Sequence, residues 1–335
     1  MPISELGAPM RRRQFLATLG GAAVAWPLAA RAQQTRPLVG FLNSASPEPF
    51  APYVRAFHQG LEQFGYLEGK TVDLDYRWAR GKSGQLAEDA RDLARRAVNI
   101  IVATGGETVA RAAQDATSQI PIVFSVGGDP VKLGLVSSLN RPGGNLTGVA
   151  VLTVELESKR LGLLCELLPK AQKLGALVDS INESVGSQRA TLEAAAHNLG
   201  KRIVVMNASS DREIEVAFAA FSEQGVEALV VASSVFFNAR RNDILALAAR
   251  TRIPAIYQWR EFASAGGLMS YGTNLADMYR QVGVYTGRIL RGVRPAELPI
   301  FQPTKFELIL NLKTAKSLGI EIQGGLLAIA DEVIE

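Results

Sequence analysis

Seven short segments carry the side chains with chemistry to offer. Asn43-Ser44-Ala45, Thr104-Gly105-Gly106 and Ser125-Val126-Gly127-Gly128-Asp129 stand in the first half of the chain. Asp179-Ser180-Ile181-Asn182, Ser209-Ser210, the run from Ser233 to Asn238, and Gln258-Trp259-Arg260 stand in the second. Hydroxyls, amides and glycines of this kind hold a small molecule by hydrogen bonds and close backbone approach. Each alone also serves as an ordinary turn or cap residue, so the collection argues more than any member. The aromatics Phe236, Phe237, Tyr257, Trp259 and Tyr271 gather near the same segments, and Trp259 stands among Gln258, Arg260 and Glu261, a polar setting for a core ring. Asp129 can hold an ammonium group or cap a helix. Arg240-Arg241 can attract a carboxylate or simply face solvent.

Signals for catalysis are weak. His58 and His197, the two histidines, fall within or at the end of helical stretches and read as structural. No Gly-x-Ser-x-Gly elbow, His-Glu-x-x-His helix, paired-cysteine metal site, Walker loop or Gly-x-Gly-x-x-Gly turn is present. The expectation is a protein with no catalytic residues, no metal and no cofactor. Cys165, the lone cysteine, lies in the apolar run from Leu161 and reads as a buried thiol.

The elements that must position these segments follow from hydrophobic spacing. Phe50, Tyr53, Val54, Phe57, Leu61 and Phe64 recur at helical intervals between the apolar runs 38–42 and 71–76. Further strands are expected at 100–103, 121–125, 174–178, 203–207, 228–231, 254–257, 268–271 and 306–310. Helices are expected at 107–116, 155–167, 184–199, 211–223 and 238–250, with a start at Asp129-Pro130 and a closing run over 326–334. Residues 292–303, with three prolines, read as an extended connector. Strands alternating with helices imply parallel sheets covered on both faces, so the seven segments fall at strand ends, where open sheets bind ligands.

Composition and the leader set the class. Arg11-Arg12-Arg13-Gln14-Phe15-Leu16, a Gly/Ala-rich apolar stretch to Trp26, and Ala30-Arg31-Ala32 form the three regions of an export signal. The arginine pair favours the twin-arginine type over general secretion, with cleavage after Ala32; Met10 is an alternative start. About a dozen apolar residues before Pro27 fall short of the roughly 20 that span a bilayer. Removing residues 1–32 takes four of the 36 Lys and Arg and one of the 32 Asp and Glu, leaving 32 against 31. Near-neutrality without a basic stripe argues against nucleic acid as a partner. The remaining length favours two domains.

Longer motifs then resemble a known family. Val123 to Val136, containing Gly127-Gly128-Asp129-Pro130, Leu139 to Gly148, containing Arg141-Pro142-Gly143-Gly144-Asn145, and Gly266 to Gly272 are similar to segments of the ABC transporter substrate-binding protein family that includes the tryptophan-binding TrpX-like proteins. Pro303 to Leu308 and Asn311 to Lys316 add to the match. The resemblance implies an α/β fold of two doubly wound parallel-sheet lobes joined by a three-crossing hinge, the type I periplasmic binding protein. Residues 37–150 plus 274–300 would form the N-terminal lobe and 151–273 plus 303–335 the C-terminal one. The crossings would fall near 149–153, 271–274 and 300–304. By position, Asn43, Ser44, Thr104, Gly105, Ser125 and Asp129 would line one wall of the ligand cleft, and Asp179, Ser233, Phe236, Trp259 and Tyr271 the other.

Two places depart from the family pattern. Asp179-Ser180-Ile181-Asn182 stands where relatives often carry Asn-Pro-Asn, and Ser233 to Phe237 where they often carry Ala-Asp-Pro-Phe-Phe, so tryptophan is not carried over as the ligand. The expected protein is a monomeric periplasmic receptor. It captures a small organic solute, amino acid or aromatic acid in kind, for an inner-membrane ABC permease. A sensing accessory to a membrane receptor is the alternative, and a hydrolase on the same fold a third.

Overall fold

A computed structural model describes residues 36–335. The export signal and the alternative start fall outside the described residues. Uninterrupted apolar runs make strands buried on both faces. In the first sheet these are β1 (Leu38–Asn43), β3 (Ile100–Thr104), β4 (Ile122–Val126) and β5 (Leu146–Ala150), with half-buried β2 (Asp73–Trp78) at the edge. All pair in parallel, in the order β2-β1-β3-β4-β5. Helix α1 (Pro47–Glu62) buries Phe50, Tyr53, Ala56, Phe57 and Leu61 along one stripe. Helices α2 (Ser83–Arg95) and α3 (Glu107–Ala116) complete the first series.

The second series runs α4 (Leu156–Leu167), β6 (Lys173–Asp179), α5 (Val185–Asn198), β7 (Arg202–Ala208), α6 (Asp211–Glu223), β8 (Ala228–Val231), α7 (Val235–Ala239), α8 (Arg241–Thr251), β9 (Ala255–Tyr257), α9 (Arg260–Ser264) and β10 (Met269–Gly272). Within the second sheet the segment β7-β6-β8-β9-β10 repeats the order of the first. Each sheet therefore has a point where the winding reverses, between β1 and β3 and between β6 and β8, and the strand ends there open a crevice.

Helix α10 (Leu275–Leu290) follows β10 yet packs on α1 of the first sheet. Small residues permit that approach. A Cβ on Gly60 would lie 2.1 Å from the Arg280 carbonyl oxygen, and one on Gly283 2.1 Å from that of Phe57. The chain passes between the sheets after β5, after β10, and again beyond Phe301, which bridges Val149 before β11 (Glu307–Asn311) joins the second sheet. Four apolar clusters fill the faces: two involve the first sheet and two the second. Cys165 is a buried free thiol whose pKa burial raises. No helix among the described residues is long and apolar enough to cross a membrane.

Several elements differ from their sequence reading. Helix α11 (Leu312–Leu318) follows β11, and the closing helical run expected over 326–334 divides into the end of α12 (Gly324–Ile329) and a short strand, β12 (Glu332–Ile334). Parallel pairing with β11 claims those last residues, and Asp331 Oδ2 accepts from the Leu308 amide at 2.9 Å. Strand β11 runs antiparallel to β10, the one such pair among the described strands. Asp129-Pro130 opens a set of turns rather than a helix. The helix expected over 238–250 starts at Val235 and breaks at Arg240. Strand β2 begins two residues later than expected, because Thr71 Oγ1 accepts from the Leu67 amide and donates to the Gly65 carbonyl in the preceding turn.

Candidate ligand cleft

A cavity of about 60 Å³ lies where the two sets of strand ends meet. Its apolar wall comes from Phe50 of α1, Val151 of the first crossing, Leu275, Met278 and Tyr279 of α10, Val235 of α7, and Trp259 after β9. Its polar wall comes from Glu107, Ser125, Thr153, Asn182, Ser233, Ser234 and the backbone at Gly105, Gly106 and Gly127. Trp259 reaches from the second sheet into the apolar cluster of the first, where Phe50, Leu275 and Met278 also sit.

Four of the residues expected from sequence line this cavity: Gly105, Ser125, Ser233 and Trp259. Ser233 is held with particular care. Its amide donates to Glu157 Oε1 at 3.0 Å, and its carbonyl accepts from Gln188 Nε2 at 2.8 Å and Asn182 Nδ2 at 3.4 Å. Its hydroxyl, by contrast, has no protein partner although it is buried, and the same is true of Trp259 Nε1. Buried polar groups are nearly always bonded, so these two are the positions at which a ligand's polar atoms would be accommodated.

The other seven stand behind or beside the wall. Asn43 Nδ2 donates to Thr104 Oγ1 at 3.0 Å and to Tyr279 Oη at 3.2 Å, while its Oδ1 accepts from the Ala45 amide at 2.8 Å. Asn43 and Thr104 thus orient Tyr279, whose ring faces the cavity. Ser44 Oγ donates to the Gly105 carbonyl at 2.7 Å. Asp129 Oδ1 accepts from the Val131 amide at 2.9 Å and folds its own turn. Asp179 accepts from Ser234 Oγ at 2.6 Å and from the Ile181 amide at 3.1 Å; burial raises its pKa, against those two donors. Phe236 lies under the Arg240 guanidinium, 5.5 Å from the ring centre. The Tyr271 ring packs on Phe306, and its carbonyl accepts from Arg160 Nε at 2.8 Å.

Arg160 and Glu157 form a fully buried ion pair, Nη1 to Oε2 at 2.8 Å. The pair ties the Ser233 amide on one side to the end of β10, next to the second crossing, on the other. It was not singled out from sequence, where 155–167 is read only as a helix. Glu107 was read only as the start of a helix. In the structure it is 5% exposed, and its Oε1 accepts from the amides of Gly127 at 3.1 Å and Gly128 at 2.7 Å. Both positions are crowded, since added Cβ atoms would lie 2.6 Å from Thr153 Oγ1 and Ser184 Oγ, respectively, and would displace those hydroxyls. Ser184 Oγ, from the second half, donates to the same Glu107 oxygen at 3.3 Å, and Arg111 faces Glu183 at 3.6 Å. The two halves therefore touch across the cleft. No group of three or more metal-ligating side chains comes together among the described residues.

Known proteins share this architecture. The tyrosine-binding protein of Clostridioides difficile (strain R20291) is 26% identical over 268 residues, 80% of this chain and 76% of that protein. A conserved domain protein from Vibrio cholerae superposes with a TM-score of 0.83 at 24% identity, covering 89% of this chain and all of that one. A Streptococcus pneumoniae structure in complex with L-Trp gives a TM-score of 0.81 at 23% identity, covering 90% and 100%. These likenesses establish the type I periplasmic binding protein fold. Residues 48–334 match the family described as ABC transporter substrate binding protein, so the chain, with its two wound sheets and the cleft between them, belongs to that family of ligand-binding transport proteins.

Proposed function

We propose that the protein is an exported receptor that encloses an amino-acid-like solute with an aromatic or bulky apolar side chain and presents it to an inner-membrane ABC permease. The observation that carries this is the pairing within one cleft of an apolar wall, built around Phe50, Tyr279 and Trp259, with two buried donors lacking protein partners, Ser233 Oγ and Trp259 Nε1. An aromatic or aliphatic body gains from apolar burial, and its polar end takes the two donors. The tyrosine-binding relative and the L-Trp complex support the same class of solute.

In this reading residues 37–150 with 274–300, and 151–273 with 303–335, move as two lobes. Contacts from a solute to both lobes favour the closed arrangement by differential affinity, and the permease reads that arrangement. The leader directs export by the twin-arginine route with cleavage after Ala32, and the mature chain works in the periplasm as a monomer. Titration calorimetry and thermal shift on the chain from residue 33, with L-tyrosine, L-tryptophan, L-phenylalanine, L-leucine and D-glucose, test the solute class. Saturable one-to-one binding of one or more of the amino acids is expected, with a melting temperature that climbs with ligand concentration. Silence from all four amino acids, binding of glucose alone, or chemical conversion of a bound molecule would overturn the reading.

A further inference from the structure

We infer that Glu107 is the group that reads charge on the solute: it binds a cationic amine and so makes the receptor select amines over their deaminated counterparts. This deepens the function proposed above and rests on it. Glu107 lines the cavity, yet its side chain is all but inaccessible to solvent. Its three donors, the amides of Gly127 and Gly128 and the Ser184 hydroxyl, all converge on Oε1. Oε2 takes no hydrogen bond from the described residues and, unlike Ser233 Oγ and Trp259 Nε1, is not sealed from solvent. Buried carboxylates are normally paired with a cation. No lysine or arginine lines the cavity, and Arg111, one turn along the same helix, is engaged with Glu183, Gln114 and the Leu133 carbonyl.

The missing cation is therefore one that the solute brings. An alkylammonium seated between Oε2 and the mouth of the cleft completes the pair in a setting with little water. The same carboxylate faces Ser184 of the opposite half, so amine binding and contact between the halves meet at one side chain. Ser233 on the polar wall and Trp259 on the apolar one bear the two unpartnered donors, Oγ and Nε1, suited to an anionic or neutral oxygen. A zwitterion would thus lie with its ammonium toward Glu107 and its carboxylate toward Ser233.

The test compares Glu107→Gln, Ser184→Ala and wild type, each titrated with L-tyrosine and 3-(4-hydroxyphenyl)propionate, and with L-tryptophan and indole-3-propionate. The amide of Glu107→Gln keeps an oxygen for the Gly127 and Gly128 amides, so the loop is retained; the melting temperature of each unliganded variant checks this. Glu107→Gln is expected to weaken the amino acids about 10- to 100-fold, as for loss of a charge-assisted hydrogen bond, while leaving the deaminated acids within about threefold. Ser184→Ala, which keeps the charge, is expected to preserve the wild-type preference for amines. Equal losses for both ligand types in Glu107→Gln, or wild-type binding of deaminated acids as tight as that of amino acids, would overturn the role of Glu107 while leaving a solute receptor intact. Failure of wild type to bind any amine would overturn both.

Discussion

Replacing Arg160 by methionine tests how the second half of the cleft is held. Neither member of the Arg160–Glu157 pair has any solvent exposure, and they meet at 2.8 Å. Methionine fills most of the volume but leaves the Glu157 carboxylate with the Ser233 amide at 3.0 Å as its remaining donor, and strips the Tyr271 carbonyl of its 2.8 Å bond. Breaking one side of a buried pair costs about 3–5 kcal/mol, because the surviving charge stays out of water. At roughly 2–4 °C per kcal/mol, the melting temperature should fall by about 10 °C. The double variant Glu157→Gln with Arg160→Met removes both charges and keeps an oxygen for the Ser233 amide. It should recover most of that loss, giving a coupling of about 2 kcal/mol or more in urea unfolding. Single-variant losses below about 1 kcal/mol, or a double variant whose cost equals the sum of the singles, would refute the reasoning.

Asp179 and Trp259 make separate claims. Burial raises the folded-state pKa of Asp179, so its contribution to stability is greatest below the ordinary carboxylate pKa of about 4 and is lost as pH rises through the raised value. Asp179→Asn should therefore gain on wild type, in urea midpoints, as pH is taken from 3.5 to 7; a difference that shrinks over that range would contradict the burial argument. Trp259→Phe keeps a ring in the apolar cluster but removes the unpartnered Nε1 donor, so affinity for a cleft ligand should drop about 5- to 10-fold by calorimetry. Unchanged affinity would remove Trp259 from the polar contacts.

Much of the fold could be read locally, and what could not depended on partners far along the chain. Apolar runs such as Ile100–Thr104 and Ile122–Val126 are buried throughout, as uninterrupted hydrophobicity between helices requires. The tail was misread because Glu332–Ile334 becomes a strand only by pairing with β11, itself inserted antiparallel to β10. That insertion also explains Tyr271. Alternation put it on a strand, but nothing local indicates that Phe306, thirty-five residues later, lies against its ring. Glu107 was hidden for a related reason: an acid in the first turn of a helix is favourable by itself, and its second use depends on the Gly127-Gly128 amides twenty residues away.

The residues at the winding reversals show what position alone conveys. Asn43 and Asp179 end β1 and β6, the equivalent strands of the two sheets. Both side chains accept from the amide two residues on, Ala45 in one case and Ile181 in the other. Both also reach across the reversal, Asn43 to Thr104 at the end of β3 and Asp179 to Ser234 beyond β8. A short Asn or Asp side chain at the last residue of a strand is suited to closing such a turn on itself. Its polar atoms are then consumed by the loop, and the side chains left to face the cleft belong to the loop's partners, Tyr279 held by Asn43 and Ser234 held by Asp179. The rule that ligands bind at reversals thus locates the cleft, while the Asx turns decide which residues of each loop build it and which touch what it holds.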